Sequence, residues 1–235
     1  MTVSTHRSAT SASAALGPVD TASSRHYALD EFSRQFDSTS RDGMSPAKRR
    51  VLEAFLNLCV THGMYSVSMR TLAKELDIKA PSIYTHFPGG RDEIITESLR
   101  WQFGQFSNAL VDAVTGAPDA STFWDSMVRL HFTRQIELPE SNLWDLIVAT
   151  DRTAHVLPPE LSERVTRWVE LYESLYIAAA WDMGVADTAR RVKIVMTLLE
   201  GASRWFDPGS GADTIDTGAD QAVLLSRQIL SLPIT

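Results

Sequence analysis

From Arg91 to the end of the chain, apolar residues return every three or four positions, and no run alternates strictly enough to make a strand. The stretch "PELSERVTRWVELYESLYIAAAWDM" puts Leu161, Val165, Trp168, Tyr172, Leu175, Tyr176 and Ala179 on one stripe. "DTARRVKIVMTLLEGASRWF" repeats the pattern with Val192, Val195, Met196, Leu199 and Ala202. Breaks at Gly116, Pro118, Pro139, "VLPPE", Gly184 and "DPGSGADTIDTG" separate six such segments. A chain punctuated this way buries itself helix on helix. The fold class is therefore all-α, with about nine helices: three short ones, then six longer ones.

The short helices lie upstream. Ser45 is an N-cap and Pro46 the first helical residue of a segment whose apolar set is Val51, Leu52, Phe55, Leu58 and Cys59, stopped by Gly63. Ser68 caps a second helix, "MRTLAKEL". "DIKA" turns the chain, and Pro81 starts a third helix that ends at Phe87. Residues 1–43 are rich in Ser, Thr and Ala without a sustained period, although "HYALDEFSRQF" could form a transient helix. Three regions follow: a disordered tail over 1–44, a helix-turn-helix domain over 45–92, and a helical effector-binding and dimerisation domain over 93–235.

Charge separates the same regions. The whole chain carries −7, but residues 45–95 hold 7 basic and 5 acidic side chains, whereas 96–235 hold 11 and 19. The positive block is the one containing the short helices, and local sign speaks to partners. One cysteine among 235 residues excludes an internal disulfide and fits a reducing compartment; Cys59 on the apolar stripe reads as core. With no apolar run near eighteen residues and no secretory pattern at the N-terminus, the expected location is the cytoplasm.

Two helices joined by a tight turn, the second short and exposed, suit the DNA major groove, which admits one helix. Ala73, Leu76 and Ile78 pack the pair on Leu52 and Phe55, with Leu72, Ile83 and Phe87 completing a small core. Lys79, Ala80, Ser82, Thr85 and His86 then remain outside. Arg70 and the lysines supply charge, Tyr84 and His86 supply ring donors, and small Ala80 and Ser82 permit close approach. Lys48 and the cap residue Ser68 complete the DNA-facing set.

Residues 46–95, through "SMRTLAKELDIKAPSIYTHFPGGRDEII", resemble the DNA-binding domain of the tetracycline-repressor (TetR) family of bacterial regulators. The resemblance implies that Arg70 reaches a base edge. It implies that Lys79, Ala80, Pro81 and Ser82 open the recognition helix, that Tyr84 and His86 grip phosphate, and that Arg91 is the basic residue at the start of the fourth helix. Asp77 stands where the family has Gly, a place that Asp tolerates in a left-handed conformation.

Beyond the short helices, an aromatic bundle suits a ligand. Phe103, Trp124, Met127, His131, Trp144, Ile147, Trp168 and Tyr172 are the candidate pocket residues, with dense core packing as the competing reading. Asp151 and His155 fall four apart, yet the "VLPP" that follows suggests a helix end, so no metal site is assigned, and no cofactor. Val195, Leu199, Ala202, Trp205, Val223 and Ile229 form the expected seam of a homodimer. No nucleophile–base pair stands out, so the chain does not read as an enzyme. The expected function is a ligand-responsive DNA-binding regulator, a repressor released from a pseudo-palindromic operator by a small, largely apolar effector. A helical small-molecule carrier or enzyme built on the aromatic bundle is the alternative, and an adaptor that binds another regulator a third.

Overall fold

A computed structural model describes residues 23–40, 44–210 and 214–233. Ten α-helices run through the described residues, which contain no strand: α1 (Ser24–Ser40), α2 (Pro46–His62), α3 (Met69–Glu75), α4 (Ala80–His86), α5 (Gly90–Val114), α6 (Ala120–Glu137), α7 (Pro139–Ala154), α8 (Pro159–Asp182), α9 (Thr188–Glu200) and α10 (Ile215–Ser231). The all-α expectation holds, and the tenth helix is α1.

The helix starts are chemical. Ser45 Oγ accepts from Lys48 N ahead of Pro46, and Asp119 caps α6 by accepting from Thr122 N at 2.7 Å. Ser68 with Thr71 and Thr214 with Thr217 each satisfy two backbone donors reciprocally.

α2, α3, α4 and the start of α5 close over a small core of Leu52, Phe55, Leu72, Leu76, Ile83, Phe87 and Ile94. Ile78 departs from the expected core; it is 38% exposed, directly after the left-handed turn residue Asp77. α5 runs on for 25 residues, about 37 Å at 1.5 Å per residue, from that core into a larger bundle.

In the bundle α10 lies along α6. Trp124 Nε1 donates to Ser226 Oγ at 3.0 Å across that contact. Gly218 sits so near Phe132 and Phe206 that a Cβ there would fall 2.5 Å from one ring and 2.6 Å from the other.

The tail expected over 1–44 is corrected for part of its length, while residues 1–22 lie outside the described set. α1 packs on α8 and α5. Ala28, Phe32 and Phe36 are buried, at i, i+4 and i+8, and Asp182 accepts from the backbone N–H groups of Ser24 and Arg25. Three apolar side chains are enough for burial because α5 and α8 offer Phe103 and Trp168 to receive Phe36.

Candidate nucleic-acid interface and enclosed cavity

α3 ends in a two-bond wrap: Ile78 N donates to Ala73 O at 3.0 Å, and Asp77 N to Lys74 O at 3.2 Å. That wrap needs a left-handed residue, and Asp77 supplies it with φ 53°. Arg50 Nη2 donates to Leu76 O at 3.2 Å and braces the turn from α2.

With Leu72, Ala73 and Leu76 turned inward, Arg70 and Lys74 form an exposed i,i+4 stripe on α3. Lys79, Pro81 and Ser82 are exposed at the start of α4, Ala80 is half-buried, and His86 is half-buried at its end. Tyr84 is 46% exposed while Ile83 and Phe87 are fully buried, so the short helix has one inward and one outward face. Gly90, at φ 69°, leaves room for the Tyr84 ring, which a Cβ would meet at 3.3 Å. Lys48 Nζ lies over the Phe87 ring at 5.4 Å.

Two expected contacts are otherwise engaged. Ser68 Oγ accepts from Thr71 N at 3.1 Å as a helix cap. Arg91 is turned into the protein: its Nε donates to Val67 O at 3.0 Å and its Nη2 to Met64 O at 2.7 Å. Those carbonyls, at the two ends of the stretch that includes the 3-10 turn Met64–Ser66, hold the guanidinium away from the outer face. Lys74, one of the two lysines expected to supply charge, is exposed beside Arg70 at i,i+4. Cys59 is core as expected, its thiol pushed up to about 11 by burial.

A cavity of about 180 Å³, open to solvent on one side, lies between α5, α6, α7, α8 and α9. Four of the eight candidate pocket residues line it: Phe103, His131, Trp144 and Tyr172. Trp124, Met127, Ile147 and Trp168 are core instead. Trp124 is drawn to Ser226 on α10, and Trp168 packs tilted against both Phe36 and Phe103. Phe106, Gln135, Asp145, Arg152, Met196 and Glu200 are lining residues that the aromatic pattern did not reveal.

The lining has a polar end. Tyr172 Oη lies 3.0 Å from His131 Nδ1 and 3.2 Å from Tyr176 Oη. Burial pushes the His131 imidazole down to about 4, so it is neutral at pH 7. Gln135 Nε2 donates to Asp145 Oδ2 at 2.6 Å. Burial, then the charge of Glu200, push the Asp145 carboxyl up to about 7 against the pull of that hydrogen bond. Burial also raises Glu200, while Arg152 lowers it.

Asp151, once paired with His155 as a metal reading, accepts from Leu157 N at 2.8 Å and from Ser162 Oγ, tying the end of α7 to the start of α8. His155 is the left-handed residue closing α7, at φ 47°.

Four of the six expected seam residues lie inside the protomer. Val195, Leu199, Ala202 and Val223 are buried within the protomer. Trp205 is half-buried, donating to Leu198 O at 3.0 Å and packing its ring 5.4 Å from Phe132, and Ile229 is half-buried against the core. Their stripe faces inward because α9 and α10 must cover α6. The large apolar side chains that α9 and α10 leave outside are Ile194 and Leu224.

Residues 51–97 match the profile of bacterial regulatory proteins of the tetR family. No curated protein sequence matches the chain. Among solved structures, a bacterial regulatory protein in the tetR family from Rhodococcus RHA1 superposes with a TM-score of 0.69 at 15% identity, over 81% of this chain and 100% of that one. The ketosteroid transcriptional regulator KstR2 of Mycobacterium tuberculosis gives 0.63 at 12%, over 81% and 96%. AibR, solved with isovaleryl coenzyme A and operator DNA, gives 0.64 at 16%, over 76% and 96%. Among the described residues no helix is long and apolar enough to cross a membrane.

Proposed function

We propose that this chain, a tetR-family protein by its residues 51–97 and by its fold, is a homodimeric repressor released from a pseudo-palindromic operator by a small molecule. The carrying observation is the outward face of α3 and α4, with Arg70, Lys74, Lys79 and Tyr84 exposed over a closed core. Arg70 and Lys74 supply charge; Lys79, Ala80, Pro81 and Ser82 approach base edges; Tyr84 and His86 hold phosphate. Two copies about 34–36 Å apart would read two half-sites one turn from each other. That AibR was solved with operator DNA supports the reading.

α7 is the coupling element. It carries Trp144, Asp145 and Arg152 on the cavity wall and packs on α2 of the reading head. An occupant that prefers one setting of α7 shifts the spacing of the two heads by its differential affinity, and by no more. Asp145 and His131 would also suit an acid–base enzyme, but that reading leaves the basic face of α3 and α4 unused. Turnover of a cavity ligand would favour it.

The test is fluorescence anisotropy on DNA from upstream of the gene. Lys79→Ala and Tyr84→Ala should each weaken binding about ten-fold, as for the loss of ~1.4 kcal/mol. The log–log salt slope should approach −0.9 per phosphate neutralised. Unchanged affinity in both variants would sink the contact assignment.

A further inference from the structure

Asp145 is an acid without a counter-charge in a cavity walled by rings. Phe103 meets Trp144 with centroids 4.2 Å apart, and Phe106 meets Tyr172 at 4.9 Å, so two edge-to-face pairs share one cavity. Among the described residues, Asp145 takes one hydrogen bond, from Gln135, and no ion pair. The two arginines on the wall serve other groups. Arg134 lies over the Phe106 ring at 5.7 Å, and Arg152 acts on Glu200. Glu200 adds negative charge beside Asp145 instead of relieving it.

We infer that the cavity takes a compact organic cation, an ammonium with an apolar body, with Asp145 as its counter-ion and the Phe103–Trp144 and Phe106–Tyr172 pairs as its wall. This rests on the reading of the cavity as the effector site. An ammonium against aromatic rings gains from their quadrupole, and more so when desolvated. A carboxylate ligand would meet Asp145 and Glu200 as well as the two wall arginines, which already face the Phe106 ring and Glu200. A neutral ligand would leave Asp145 with the Gln135 hydrogen bond and no counter-ion. The volume of about 180 Å³ corresponds to about six waters at ~30 Å³ each, room for a body of one ring or a short branched chain.

Binding carries a proton signature. Facing Asp145 are His131 and Arg134 from α6, Arg152 from α7, Tyr172 from α8 and Glu200 from α9; α5 brings rings and Gln102. His131 is pushed down to about 4 and Tyr172 well up, which leaves Asp145, at about 7, to change charge near neutrality. The incoming cation displaces its proton, so affinity rises from pH 6 to pH 8.

Calorimetry on the full chain, with quenching of Trp144 fluorescence, would compare benzyltrimethylammonium with its uncharged carbon isostere neopentylbenzene, and with benzylammonium and phenylacetate. The ammonium probes should bind at least ten-fold more tightly than the isostere. Whichever of the two leads tells a hydrogen-bonding ammonium from a quaternary one. Asp145→Asn should remove at least ten-fold of that affinity, and the pH dependence with it, while leaving the isostere unchanged. If that variant does not fold, Glu200→Gln at the exposed rim should weaken the cations selectively. Equal binding of the isostere, or tighter binding of phenylacetate, overturns the inference. Operator anisotropy in parallel separates the two readings: DNA binding without cation binding removes the inference alone. Cation binding without any DNA binding removes the regulator and leaves the site.

Discussion

Asp145 and His131 line the same cavity and carry opposite pH signatures. The Asp145 carboxyl is raised from 3.8 to about 7, so the folded protein keeps a proton that the unfolded chain gives up. Its stabilising share is complete below about pH 4 and is lost as pH rises through 7. His131 is lowered from 6.5 to about 4, so the unfolded chain takes the proton first. That share is present above pH 6.5 and is lost as pH falls through 4. The two slopes oppose each other across the acid range, and comparison with single variants separates them. The denaturation midpoint of Asp145→Asn should gain on the parent as pH climbs from 5 to 7.5, and that of His131→Gln should gain as pH falls from 7 to 4.5. Parallel midpoint curves would contradict both assignments.

Which residues were readable from the chain follows from the same kind of reasoning. Phe87 inside and Tyr84 outside are fixed by a helix too short to bury both. Asp77 could be placed because the turn demands a positive φ. Arg91 could not: an arginine at a helix start has one sequence signature whether its guanidinium meets phosphate or the carbonyls of Met64 and Val67. Asp145 was equally hidden, since an acid beside Trp144 looks like an ordinary helix surface until α9 closes over it with Glu200.

At the scale of elements, α1 shows where periodicity runs out. It contributes Ala28, Phe32 and Phe36 in seventeen residues, a stripe too thin to be told from chance in a Ser- and Thr-rich segment. Its partners, Phe103 and Trp168, lie far along the chain, and Arg25 pairs with Asp182 across 157 positions. Packing, not propensity, holds it. The six long helices could be read because each repeats its stripe several times between Gly and Pro breaks. Phe36 is buried against three rings, those of Phe32, Phe103 and Trp168, and Phe103 is a cavity wall, so Phe36→Ala should cost about 3–5 kcal/mol in a urea titration. It should also loosen ligand binding at the cavity, because Phe103 loses its backing. A cost under about 1 kcal/mol would mean that α1 rests on the bundle without bracing it.

For the whole molecule, the question is which surface meets a second copy. The stripe on α9 and α10 was the natural choice, because an apolar seam and an apolar core look alike in sequence; the core took it, through Val195, Leu199, Ala202 and Val223. The proposed dimer would then use what those helices leave outside. Ile194 is 46% exposed on α9 and Leu224 57% on α10, adjacent helices that pack on each other within the protomer. An isologous four-helix contact would bury both residues twice. Replacing both by Asp should leave helical content unchanged, because neither side chain contributes to the protomer core. It should yield monomers by light scattering at concentrations where the parent is a dimer. Operator affinity should then fall by more than ten-fold, since one short recognition helix holds half a site and forgoes the second head's effective concentration. A double variant that stays dimeric would place the seam elsewhere on the surface, and a monomeric variant that keeps full affinity would detach DNA reading from dimerisation.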